Sequence, residues 1–114
     1  MQRISPPTSS PPIDILVIDD HEIFREGLIS LLEKQPDLMV AGQARDGSEA
    51  LDQAARLSPR VALVDVSLPD IHGVELAERL RTLCPETAVV ALSMHAEPQF
   101  VELMLRAGAA GYVL

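Results

Sequence analysis

The chain has 114 residues, 47% hydrophobic but only 3% aromatic, with 17 acidic residues against 9 basic ones and a net charge of −8. That length supports one domain around one core, which must be built from Leu, Val, Ile and Ala rather than from rings. The negative balance argues against this segment gripping nucleic acid or an anionic membrane by itself, because phosphate contacts need Lys and Arg.

No apolar run approaches the roughly 20 residues of a membrane span. The amino terminus lacks the apolar core of a signal peptide, and the single Cys84 rules out an internal disulfide. These features fit a cytoplasmic protein.

Residues 1–12 carry Pro6, Pro7, Pro11 and Pro12 among Ser and Thr and read as a disordered lead. The domain proper is expected over 13–114. Ile13-Asp14-Ile15-Leu16-Val17-Ile18 is an apolar strand that runs onto Asp19 and Asp20. A helix follows over about His21 to Lys34, with Phe24, Leu28, Leu31 and Leu32 on its inward face, and Pro36 ends it. A second strand spans about Leu38 to Ala44. Asp46-Gly47-Ser48-Glu49 reads as a capping box. It opens a helix that turns Ala50, Leu51, Ala54 and Leu57 inward and stops at Ser58-Pro59.

Val61-Ala62-Leu63-Val64-Asp65 is the third strand. Four apolar residues in a row do not alternate between wet and dry faces, so it reads as buried on both. A turn-rich loop, Val66 to His72, leads to a third helix from about Gly73 to Cys84, with Leu76, Ala77, Leu80 and Leu83 as its stripe. The fourth strand, Ala88 to Leu92, ends on Ser93. Pro98 sits at the first position of a fourth helix and Gly108 closes it. Ala109 to Leu114 opens a fifth strand.

Strands alternating with helices imply a parallel sheet with right-handed crossovers. In the flavodoxin-like order 2-1-3-4-5 the first and third strands are neighbours, and ligands bind at their carboxyl edge. That order brings Asp19, Asp20, Asp65 and Ser93 to one mouth. A helix end wants one anionic cap, whereas here three acids converge. Two such charges about 4 Å apart repel by roughly 4 kcal/mol at an effective dielectric near 20, so a cation or a proton must offset them. Oxygen ligands with no Cys or paired His suit Mg²⁺ or Ca²⁺.

At these residues the chain resembles the receiver domain of bacterial two-component response regulators. The motifs are the strand before Asp19-Asp20, the strand ending at Asp65 with Leu68-Pro69 and Gly73 after it, and the strand before Ser93. Asp19-Asp20-His21, Leu92-Ser93-Met94-His95 and Arg106 to Tyr112 resemble the LuxR/NarL-type branch, whose effector is a C-terminal helix-turn-helix domain. The resemblance implies that Asp65 accepts a phosphoryl group from a sensor histidine kinase. It implies Mg²⁺ held by Asp19, Asp20, Asp65 and the Ser67 backbone carbonyl, a Ser93 hydrogen bond to the phosphoryl oxygen, and Tyr112 at the aromatic switch position. The whole would be a transcription-regulating switch, catalysing only its own phosphoryl transfer and dephosphorylation.

One departure concerns the carboxyl end. The family's lysine and last helix follow the residue matching Tyr112, and this chain stops at Leu114, before both. The final helix is thus expected to be missing from this chain, and a homodimer or swapped oligomer is one consequence. The apolar fourth helix, with Phe100, Val101, Leu103, Met104 and Leu105, is read as a dimerisation or output surface. His21, His72 and His95 are read as solvated loop histidines, and Met94 as narrowing access to the acceptor.

Three other readings compete. A pseudo-receiver that takes no phosphate draws support only from the absent lysine. A flavin or nucleotide binder would need a Gly-rich loop where Asp19-Asp20-His21-Glu22 stands. A phospho-aspartate hydrolase would need a general acid where Ser67 stands.

Overall fold

Strand β1 (Ile13–Ile18) buries four consecutive side chains, Ile15 to Ile18, so both faces of the sheet are covered at its centre. It pairs in parallel with β2 (Leu38–Ala44) on one side and β3 (Val61–Asp65) on the other. Beyond β3 lie β4 (Ala88–Leu92) and β5 (Ala109–Val113), giving the order β2-β1-β3-β4-β5. The chain is described from a computed structural model over residues 11–65, 68–92, 106 and 109–113, with Tyr112 and Val113 described by backbone alone. The expected five-stranded flavodoxin-like sheet is thus the observed one, with helices α1 (Glu22–Glu33), α2 (Gly47–Leu57) and α3 (Gly73–Leu83) in the crossovers. The fourth helix expected over Pro98 to Gly108 lies outside the described residues, except that Arg106 is helical.

The core fills the space between the sheet and the pair α2 and α3. Leu16, Ile18, Ala62, Val64, Val89 and Ala91 come from the strands, and Ala50, Ala54, Leu76, Ala77 and Leu80 from the helices. Each fully buried Leu or Ile contributes about 1.5–3 kcal/mol. The alanines on α2 let that helix lie close to the sheet. At the β2 edge, Gly42 has the same effect: a Cβ there would stand 2.8 Å from Leu57 Cδ1 and 3.1 Å from Gln53 Oε1.

Three details differ from the sequence reading. β3 is not equally buried on both faces: Ala62 and Val64 are fully buried in the α2/α3 core, while Val61 and Leu63 are half-buried on the opposite face. α1 buries no residue completely, and Phe24 and Leu31 remain 52% and 61% exposed. It packs mainly over β1 and β2, so strands underlie only part of its apolar stripe. Leu83, the last residue of the α3 stripe, is exposed.

The capping box at α2 is shifted. Asp46 accepts from the Glu49 N–H at 2.8 Å as expected, but Glu49 accepts from the Arg45 N–H at 3.0 Å, one residue before the cap. α2 ends at Ser58, which sits in the left-handed region at φ 43° and ψ 57°. α3 opens under His72, whose Nδ1 accepts from the Val74 N–H at 3.2 Å.

Candidate functional site

Parallel pairing of β1 with β3 sets Ile18 beside Val64, so the residues that follow, Asp19 and Asp65, emerge side by side at the carboxyl edge. Asp65 in turn pairs with Leu92 of β4, and Tyr112 of β5 pairs with Ala91. Ser93 and Ser67, two of the expected site residues, lie outside the described residues, as does the side chain of Tyr112. The register sets Leu92 beside Asp65, and the Tyr112 backbone beside Ala91.

Asp19 is 2% exposed, and the side chains of Asp20 and Asp65 are 29% and 13% exposed. His21 stands over them. Its Nδ1 lies 3.3 Å from Asp19 Oδ1, 3.1 Å from Asp20 Oδ1 and 3.8 Å from Asp65 Oδ2. One donor atom from each of the four residues falls within 4.8 Å of all the others. Among the described residues this is the only such gathering of His, Cys, Asp and Glu.

Backbone and side-chain hydrogen bonds set the Asp19 turn. The Asp19 N–H donates to the Ala44 carbonyl at 2.9 Å. The Asp19 carboxylate accepts from the His21 N–H at 2.8 Å. Arg25, on the first turns of α1, donates from a guanidinium nitrogen to the Asp19 carbonyl at 2.6 Å and from Nε to Gln43 Oε1 at 2.7 Å. The guanidinium thus ties the acidic turn to the end of β2.

The donor set fits a hard divalent cation, because carboxylate oxygens dominate it. A second observation agrees. Asp20 Oδ1 is buried and makes no hydrogen bond; its contact with His21 Nδ1 is close but not aligned as one. A buried carboxylate oxygen left unbonded is costly, and a cation at this point would satisfy it.

The three acids gather at one edge, as the strand order implied. His21 is the exposed loop histidine expected, its side chain 69% accessible, and its ring nitrogen also stands over all three acids, for which its place directly after Asp20 was the available signal. The sequence reading passed over Arg25, seen only as a polar residue off the apolar face. It also passed over Asp70, which accepts from the Gly47 N–H at 2.7 Å and the Ser48 N–H at 3.1 Å. The amino end of α2 therefore takes two carboxylates, Asp46 and Asp70, where one was expected.

Comparison with known proteins agrees with this geometry. Residues 15–114 match the family model of the response regulator receiver domain. The response regulator GacA of Pseudomonas viridiflava is 42% identical over 101 residues, covering 89% of this chain and 47% of its own length. The signal receiver domain of the response regulator NarL from Mycobacterium tuberculosis superposes with a TM-score of 0.87 at 36% identity, covering 91% of this chain and 84% of that one. A response regulator from Burkholderia pseudomallei superposes at 0.80 and 29% identity, over 89% of this chain and 58% of that one; its structure holds a phosphorylated aspartic acid, a calcium ion and citrate. The chain spans about half the length of the full-length relatives it matches. Fold, acidic edge and matched residues agree: the chain belongs to the response regulator receiver domain family, on its LuxR/NarL-type branch.

Proposed function

We propose that this domain is a phosphorylation-dependent signalling switch whose acceptor is Asp65. The observation that carries the reading is the convergence of Asp19, Asp20 and Asp65, delivered by two adjacent parallel strands, with a donor atom of each within 4.8 Å of the others. A phosphorylated aspartic acid and a cation in the Burkholderia pseudomallei regulator support it by similarity. Receiver domains are signalling domains rather than enzymes of the ordinary kind, and they work with a histidine kinase.

In this reading the cation is Mg²⁺, held by Asp19, Asp20 and Asp65 with the Ser67 backbone carbonyl. When bound, it offsets the carboxylate repulsion and the charge of the incoming phosphoryl oxygens. The chain's own residues do the rest. An Asp65 carboxylate oxygen attacks phosphorus and forms a P–O bond while the P–N bond of the phosphohistidine donor breaks, its electron pair leaving with the imidazole. Burial of Asp65 to 13% exposure limits the approach of water to the acyl phosphate. Arg25 fixes the Asp19 turn so that the acids meet the cation without rearrangement. Ser93 hydrogen-bonds the new phosphoryl group and Tyr112 responds to it, passing the change to the β4–β5 edge.

The relatives' greater length supports an effector beyond this segment, and transcription regulation as the output. The net charge of −8 supports leaving DNA contact to that effector. A cytoplasmic location and a homodimer formed on phosphorylation complete the reading. The test is phosphoryl incorporation from a small phosphodonor with and without Mg²⁺: the wild type gains one group only with Mg²⁺, and Asp65→Asn gains none. Equal incorporation in Asp65→Asn would refute the assignment.

A further inference from the structure

Asp70 lies outside the acid cluster, in the connection that leaves Asp65 for α3. Its carboxylate accepts from the first two N–H groups of α2, Gly47 at 2.7 Å and Ser48 at 3.1 Å. These are groups a helix cannot satisfy internally. Asp46, the residue directly before α2, already caps this helix through the Glu49 N–H. At α1 the N-cap residue His21 makes no side-chain cap bond, and at α3 the N-cap His72 supplies a ring nitrogen rather than a carboxylate. The Asp70 contact therefore does more than end a helix. It joins two segments 23 positions apart in the chain.

The surroundings are built for that junction. At Gly47 an added Cβ would collide with Ile71 Cγ2 and stand 3.2 Å from Asp70 Oδ1. The absence of a side chain at Gly47 is what lets Asp70 and Ile71 sit against the helix end. Three residues after Asp65, Leu68 is buried in the core cluster. The chain downstream of Asp65 is thus anchored twice, first by Leu68 in the core and then by Asp70 and Ile71 on α2. The Gly47 amide, helped by Ser48, holds the carboxyl of the exposed Asp70 below its ordinary value against an opposing effect of desolvation.

We propose that Asp70 is a positioning residue for the phosphoacceptor site: its carboxylate latches the connection that leaves Asp65 to the amino end of α2, with Gly47 as the seat. The proposal rests on Asp65 being the acceptor. Asp70 touches neither the cation nor the phosphoryl group. It acts by fixing the chain on the downstream side of Asp65, as the β-sheet fixes it on the upstream side. Sites of this kind tolerate misplacement of only about 0.5 Å before function declines.

The test uses Asp70→Ala, Asp70→Asn, Gly47→Ala and the double variant Asp70→Ala/Gly47→Ala, with Leu80→Val as a control that destabilises the core without altering a residue of the Asp70–Gly47 contact. The readouts are the Mg²⁺ dissociation constant from calorimetric titration and the melting temperature. Loss of an outer positioning partner typically costs about 10- to 100-fold in metal affinity. Asp70 bonds no ligand directly, so Asp70→Ala and Gly47→Ala are expected to weaken binding by less than that, roughly threefold. The double variant should be no worse than the weaker single one, because both break the same latch. Asp70→Asn keeps an acceptor oxygen and recovers part of the loss.

Leu80→Val should lower the melting temperature and leave the dissociation constant at the wild-type value. Asp70→Ala binding Mg²⁺ like the wild type while melting earlier would overturn the proposal and leave Asp70 as a plain cap. If the wild type itself binds no Mg²⁺, the acceptor-site reading fails instead. The latch is then judged by amide exchange over residues 68–72: lost protection in Asp70→Ala sustains it, and wild-type protection overturns it.

Discussion

The Asp70 carboxylate accepts a 2.7 Å hydrogen bond from the Gly47 amide, 23 positions away in the chain. This bond is charge-assisted and holds the Asp70 carboxyl below its ordinary range. Folding then favours the ionised form. The contribution is complete above the unfolded pKa of about 3.9 and is lost as pH falls through the lower folded value. At neutral pH, Asp70→Ala should cost about 1 kcal/mol, the usual worth of a carboxylate at a helix start. In urea unfolding across an acid series, the gap between wild type and Asp70→Asn should be constant near neutrality and shrink below about pH 4. A gap that widens on acidification would contradict the sign.

Two glycines in helices should respond oppositely to alanine. At Gly47 a methyl group meets Ile71. Overpacking of about 1–3 kcal/mol should outweigh the helix-propensity gain of up to about 1 kcal/mol. At Gly27, inside α1, an added Cβ meets nothing within 4 Å. There the propensity gain stands unopposed, and Gly27→Ala should stabilise by about 1 kcal/mol. Urea midpoints moving in the same direction for both would contradict the packing at Gly47.

Arg25 bridges the Asp19 carbonyl and Gln43. Arg25→Ala should lower stability by about 1–3 kcal/mol, as for other hydrogen bonds from a charged donor. Because the guanidinium fixes the turn that carries Asp19 and Asp20, Mg²⁺ affinity should fall as well. Lysine presents a point charge rather than a fork, so Arg25→Lys should not restore both contacts. Thermal melts and Mg²⁺ titration of the two variants check this.

Ser58 occupies the left-handed region at φ 43°, where a side chain costs about 1–2 kcal/mol and glycine costs nothing. Ser58→Gly should raise the stability of the domain by about 1 kcal/mol once the extra freedom of glycine in the unfolded chain is subtracted. A lowered melting temperature would contradict this.

Much of this molecule was legible from local pattern. The apolar runs at Ile13–Ile18 and Val61–Val64 announced central strands, and the acids at their ends announced a shared edge once the strand order was assumed. Periodicity reports which side of a helix is apolar but not how much of that side is covered. Hence Phe24 and Leu31 were expected inward and are half-exposed or more. The Asp70–Gly47 bond was not legible, because no spacing rule links residues so far apart, and Gly47 looked like an ordinary member of a capping box. His21 is an exposed loop residue as expected, but its contact with three acids was not legible, because its ring direction is set by the turn and not by its neighbours in sequence. The expected roles of Ser67, Ser93 and Tyr112 fall outside what the described side chains reach.

The most direct test of the central claim is intact mass after incubation with a small phosphodonor, with and without Mg²⁺, beside Asp65→Asn. The account predicts a gain of one phosphoryl group that requires both Mg²⁺ and Asp65. An unchanged mass in the wild type, or a gain that persists in Asp65→Asn, would contradict it.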